Sequence, residues 1–132
     1  MRERSLVDNW RDELVRENGF EMFPAAQSAL EEFGGLHVTD RGPGVDRARE
    51  SFKVDPTLAI DAEDLFEEHS RLLQKRLFPL GEAGDQAFLA IADTGEVFLI
   101  FEGVQLVGDN IEEAMTNLIE GRSVPGAKWL YP

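Results

Sequence analysis

Cysteine is absent from the 132 residues. That excludes disulfides and thiolate metal sites and makes a reducing cytoplasm the default compartment. Long apolar runs are missing too. The opening Met1-Arg2-Glu3-Arg4-Ser5 has no apolar leader segment, and no later stretch approaches the ~18 apolar residues that span a membrane. Neither a secretory leader nor a membrane partner is expected. Histidine is scarce: His37 and His69 fall in different elements without a carboxylate at ligand spacing, whereas a metal site needs three or four converging ligands. No metal and no cofactor is expected, and His69, on the apolar stripe of a helix, reads as a hydrogen-bonded core histidine. Basic charge is also in deficit. Against 13 Lys and Arg stand 26 Asp and Glu, a formal net charge of −13. Such a field repels phosphate backbones and anionic lipid and speeds encounter with basic partners, so direct nucleic-acid binding is not expected.

What is present describes an ordinary globular chain, 42% hydrophobic and 30% charged, long enough for one domain with one core. A single domain over 1–132 is expected, with a core of about 5–122 and a tail of 123–132. Leu6, Val7, Trp10, Leu14 and Val15 recur at helical spacing after a possible Ser5 cap, which predicts a helix over about 5–18. Pro24 suits a helical first turn, and Ala26, Ala29, Leu30 and Phe33 give a second helix over about 24–33. Short strands are expected at Leu36–Thr39 and Ser51–Val54. A third helix over about 61–76 carries acids at its start and Arg71, Lys75 and Arg76 at its end, as the helix dipole favours. Leu77–Leu80 looks extended and Gly81–Asp85 reads as a loop.

The clearest signal is Ala87–Ala92, Asp93-Thr94-Gly95, Glu96–Phe101: two apolar arms about a turn triplet, a hairpin over about 86–101. A strand at Val104–Val107 follows. The last helix, over about 109–120, opens with Asp109 and Glu112 at capping-box spacing and stops at Gly121. The order is α+β, with about four helices against a mainly antiparallel sheet. The tail residues Trp129, Leu130 and Tyr131 either form a partner-binding aromatic patch or fold back on the domain.

Motifs that carry chemistry are few. Asp93-Thr94-Gly95 matches the triplet of aspartic proteases, which need two aspartates sharing a proton; a second copy is absent, and a tight turn accounts for every residue of it. The serines lack a nucleophile-elbow context, so no catalytic residue is assigned. Gly34-Gly35 is either a phosphate grip or a backbone device, with Gly34 at the position where a left-handed residue closes a helix. Two acidic groups stand out: Asp61, Glu63, Asp64, Glu67 and Glu68 on the third helix, and Glu82, Asp85, Asp93, Glu96 and Glu102 at loops and sheet turns. Each is either a solvated surface or a docking face for a basic protein. The second group is the favoured edge, since loops on a rigid sheet are common recognition surfaces.

Phe33-Gly34-Gly35-Leu36, Gly42-Pro43-Gly44, Phe52–Pro56, Leu77–Gly81, Asp93–Val97, Gly108, the Glu113–Leu118 helix and Gly121-Arg122 occur in that order. The series, from about Val15 to Arg122, resembles the SUKH superfamily, in particular its third subgroup of bacterial immunity proteins. The resemblance implies a non-catalytic α+β domain, an immunity protein that binds and neutralises a protein toxin, commonly a nuclease. It also implies that Gly34, Gly35 and Gly108 are architectural. The acidic charge adds that the toxin domain is basic, and a cytoplasmic monomer is expected. A regulatory or scaffolding module of the same superfamily is the alternative, and a dimeric aspartic hydrolase built on Asp93 a remote one.

Overall fold

The two apolar runs about Asp93-Thr94-Gly95 pair as antiparallel strands, and the rest of the chain is arranged around them. A computed structural model describes residues 4–16, 19–39, 42–84 and 86–132. The elements are α1 (Arg4–Arg11), α2 (Pro24–Phe33), β1 (His37–Val38), β2 (Phe52–Lys53), α3 (Glu63–Leu73), β3 (Leu77–Ala83), β4 (Ala87–Ala92), β5 (Val97–Phe101), β6 (Gly103–Gly108) and α4 (Ile111–Glu120). The six strands form one antiparallel meander in chain order, β1 to β6, so the fold is α+β with β3 and β4 at its centre. Among the described residues no helix is long and apolar enough to cross a membrane.

The hairpin follows its sequence signal closely. Phe88 pairs with Ile100 and Ile91 with Val97, and the turn closes through Gly95 N–H donating to Ala92 O at 2.9 Å, with Gly95 at φ +102°. Leu89–Ala92 and Val97–Ile100 are buried, so the sheet centre is covered on both faces, as continuous apolar arms require. Edge-to-face rings extend this core. Phe20 meets Phe66 and Phe78 at 5.6 and 5.9 Å, and Phe66 meets Phe88 at 5.8 Å. Each such ring contributes roughly 1.5–3 kcal/mol by leaving water.

Several boundaries differ from the sequence expectation, each for a physical reason. The first helix starts at Arg4, which puts Ser5 inside it instead of at its cap, and it finishes in a wider π turn, Asp12–Arg16; Asn18 lies outside the described residues. α2 matches, but Gly34 is not left-handed: its φ is −56°, and Gly35 carries the positive value, +88°. Gly34 is glycine for want of space. A Cβ there would overlap the Leu30 carbonyl oxygen and lie 2.6 Å from Trp10 Cζ3. Gly35 then donates to Val54 O at 2.8 Å, which ties the turn to the end of β2.

Asp55 follows β2, and its carboxylate accepts from Thr57 N–H at 3.0 Å and starts a 3-10 turn, Pro56–Ala59. α3 is therefore shorter than 61–76. It stops where Gln74 turns left-handed at φ +56°, and Lys75 and Arg76 leave the helix. The expected loop at Gly81–Asp85 is strand as far as Ala83, and Asp85 lies outside the described residues. Gly81 marks a bulge after Pro79, where a Cβ would overlap the Lys53 carbonyl oxygen of β2. The cap of α4 is Asn110, one residue after the expected Asp109; its side chain accepts from Glu113 N–H at 2.8 Å. Gly121 closes α4 at φ +68°. Gly108 lets the helix start approach β6: a Cβ there would stand 2.5 Å from Ala114 N. The tail folds back, and Leu130 bridges Val104 on the outer edge of β6.

Candidate partner-docking surface

α3 presents its acids by simple helical geometry. Asp64, Glu67 and Glu68 fall at i, i+3 and i+4, so they share one face, and all three are exposed. Asp61 is exposed in the turn before the helix, and Glu63 is half-buried at its start. The opposite stripe holds the helix down: Phe66 and His69 are buried, and His69 Nδ1 lies 2.8 Å from Leu65 O. His69 Nε2 faces the Glu102 carbonyl at 3.3 Å, which makes it a hydrogen-bonded core histidine. On the acidic face Glu67 pairs with Arg71 at 3.0 Å. Asp61, Asp64 and Glu68 form no ion pair among the described residues, and their charge is open to solvent.

The loop and turn acids are arranged otherwise. Asp93 meets Arg76 Nε at 3.1 Å, Arg76 also bonds Glu21, and its guanidinium lies 5.7 Å over the Phe23 ring. Glu96 pairs with Lys75 at 3.3 Å and accepts from the Thr94 hydroxyl. The hydrogen bond it donates to Asp93, then the one to Glu21, holds the Arg76 guanidinium above its ordinary pKa. Glu96 is held below the ordinary carboxylate value, first by the Thr94 hydroxyl and further by Lys75, against the opposing effect of burial. Both turn acids are thus largely neutralised from within the chain.

Glu102 and Glu82 stand elsewhere. Glu102 sits at the far end of β5, roughly 20 Å along the strand direction from Glu96, exposed and at φ +61°. Glu82 lies within β3, opposite Phe88 and beside Lys53 of β2. The four described acids therefore do not form one edge; Asp85 lies outside the described residues. The sequence reading missed Lys75 and Arg76 as their partners, because a basic pair at a helix end is equally well explained by the dipole.

Among the described residues no second carboxyl group is placed against Asp93. Asp93 faces a guanidinium at a hairpin tip, whereas shared-proton catalysis needs a second carboxyl group against it. Among the described residues no group of three or more His, Asp or Glu is placed to hold a metal ion.

Comparison with curated proteins and with solved structures gives no match. A family model described as SUKH-3 immunity protein matches residues 2–121. That span takes in every described helix and strand from α1 to α4, and the chain therefore belongs to the SUKH-3 immunity protein family.

Proposed function

We propose that this chain is an immunity protein that binds a cognate toxin and blocks it by occupying its surface, with no chemistry of its own. Family membership over residues 2–121 is the observation that carries the reading. The net charge of −13 favours a basic toxin domain, and a nuclease is the natural candidate, since an enzyme that handles a polyanion presents a basic cleft. The face of α3 with Asp64 and Glu68, together with Asp61 in the turn before it, is the preferred docking charge, because these carboxylates are free to act on a partner while Asp93 and Glu96 are engaged by Arg76 and Lys75. The chain acts as a monomer in the cytoplasm, where the toxin would otherwise reach its target.

Immunity by binding is stoichiometric, whereas enzymatic detoxification is not. The test is titration of a candidate toxin domain, taken from the genes that neighbour this chain's, with its activity followed as this protein is added. Inhibition that saturates at equimolar protein, in a stable complex, is expected. Inactivation by a small fraction of an equivalent, or activity unchanged at excess, would contradict the proposal.

A further inference from the structure

Between α3 and the segment Gly19–Glu21 lies an open cleft of about 380 Å³. Phe20, Phe66 and Leu77, all buried, form its floor, the Phe20 and Phe66 rings meeting edge to face. Three acids stand at its rim: Glu63 and Glu67, one helical turn apart on α3, and Glu21 on the other segment. Two bases, Lys75 and Arg76, complete the wall, and both already have partners. Lys75 lies 3.3 Å from Glu96 and donates to the Thr94 hydroxyl at 2.9 Å. Arg76 is shared between Asp93 and Glu21 and lies over the Phe23 ring. The acids of α3 differ. Glu63 is half-buried, and its side chain makes no hydrogen bond or ion pair among the described residues. Glu67 is held by Arg71 in a pair whose two side chains are largely exposed, and such a pair yields to a competing cation.

A group entering this cleft meets apolar surface below it and uncommitted negative charge at the rim. An acidic group is repelled. A purely apolar one would cover the Glu63 carboxylate and leave it without a partner, which is unfavourable. A lysine or arginine side chain satisfies both surfaces, since its methylene stem is apolar and its head is cationic. A second copy of this chain would bring another −13 of charge to the contact, which favours a foreign cationic partner over self-association. The cleft also adjoins the docking face. Glu67 belongs both to its rim and to the exposed acidic face of Asp64 and Glu68, so a partner seated on that face lies beside the mouth of the cleft.

We infer that this cleft receives one basic side chain of the partner, a lysine or arginine of the toxin domain, with its stem on Phe20, Phe66 and Leu77 and its charge at Glu63 and Glu67. This rests on the proposed immunity function and gives the α3 face an anchor. Asp61, Asp64 and Glu68 govern how fast the partner arrives, and the anchored side chain governs how long it stays.

The experiment titrates the isotope-labelled full chain with the peptide acetyl-glycyl-arginyl-glycine amide and follows the backbone amides by NMR. The same peptide with norleucine in place of arginine is the uncharged control. Saturable shifts confined to the cleft, at Phe20, Glu63, Glu67 and Ser70, are expected for the arginine peptide, with a dissociation constant of about a millimolar, and none for the norleucine peptide. Glu63→Gln keeps the shape of the side chain and should hold its urea midpoint near the parent's, yet weaken the peptide by roughly tenfold. Shifts that never saturate, that spread over the acids of α3 at large, or that persist undiminished in Glu63→Gln would overturn this inference. They would leave the immunity reading intact, since the equimolar titration tests that separately. Equal binding of the norleucine peptide would overturn the basic occupant. Shifts at the same residues on raising the protein concentration alone would assign the cleft to a second copy instead.

Discussion

Gly34→Ala separates two reasons for a glycine. At φ −56° and ψ 134° the backbone suits alanine, and if conformation were the only constraint the substitution would stabilise by roughly 0.4–1 kcal/mol through the unfolded chain. The structure predicts the opposite. A Cβ would overlap the Leu30 carbonyl oxygen and stand 2.6 and 2.9 Å from two carbons of the Trp10 ring. The indole is itself buried, so it cannot swing away without opening the seam between α1 and α2. Overpacking of this kind costs about 1–3 kcal/mol, and displacement of the last-turn hydrogen bond from Gly34 N–H to Leu30 O, at 2.9 Å, adds about 1 kcal/mol. Gly34→Ala should therefore lower stability by about 2–4 kcal/mol, read as a lower urea midpoint at an unchanged slope. Trp10→Leu relieves only the ring contact, so the double variant should be less unstable than the sum of the singles by about 0.5–2 kcal/mol. A Gly34→Ala midpoint at or above the parent's would refute the steric argument.

Three further outcomes follow from single contacts. Asn110→Ala removes the side chain that accepts from Glu113 N–H and should cost about 1 kcal/mol of stability by denaturation. Asp93→Asn should leave the fold within about 1 kcal/mol, because its partner Arg76 is more than half exposed and asparagine keeps a side-chain acceptor; peptidase activity that disappears in this variant would restore the hydrolase reading. Glu96 has a folded pKa below its ordinary 4.5, so its stabilising contribution is present above that pH and lost as pH falls through the lowered value. Glu96→Gln should accordingly flatten the acid limb of a stability–pH curve below about pH 4.5 and change little at higher pH, whereas an acid limb identical to the parent's would show that Thr94 and Lys75 do not hold the carboxylate.

How much of this was legible in the sequence depended on range. The hairpin of β4 and β5 was legible because both arms are apolar and the turn lies between them, so the signal is complete within fifteen residues of chain. The bounds of α2 were legible for the same reason, from Pro24 and the glycine pair. Gly81 was not: glycine marks a turn or a close approach alike, and what decides is the Lys53 carbonyl, far back in the chain. The same holds for Gly34 and the Trp10 ring. Charge was legible in sign but not in availability. Asp93 and Glu96 read as free acids until Lys75 and Arg76, which a helical reading keeps on α3, are seen to leave it and pair with them. Phe101 read as one more buried position of an apolar arm, because nothing local tells the last residue of a strand that its row ends in glycine.

Association kinetics between this protein and a candidate toxin domain from the neighbouring genes, followed by stopped flow at several salt concentrations, test the central claim most directly. Reversal of Asp61, Asp64 and Glu68 to lysine changes the α3 face by about six charge units. The account predicts an association rate that falls by one to two orders of magnitude at low salt, converges with the parent as screening rises, and leaves dissociation nearly unchanged. The paired turn acids, reversed as Asp93 and Glu96, should have the smaller effect on association. An association rate indifferent to salt and to the α3 reversal would contradict docking by the acidic surface.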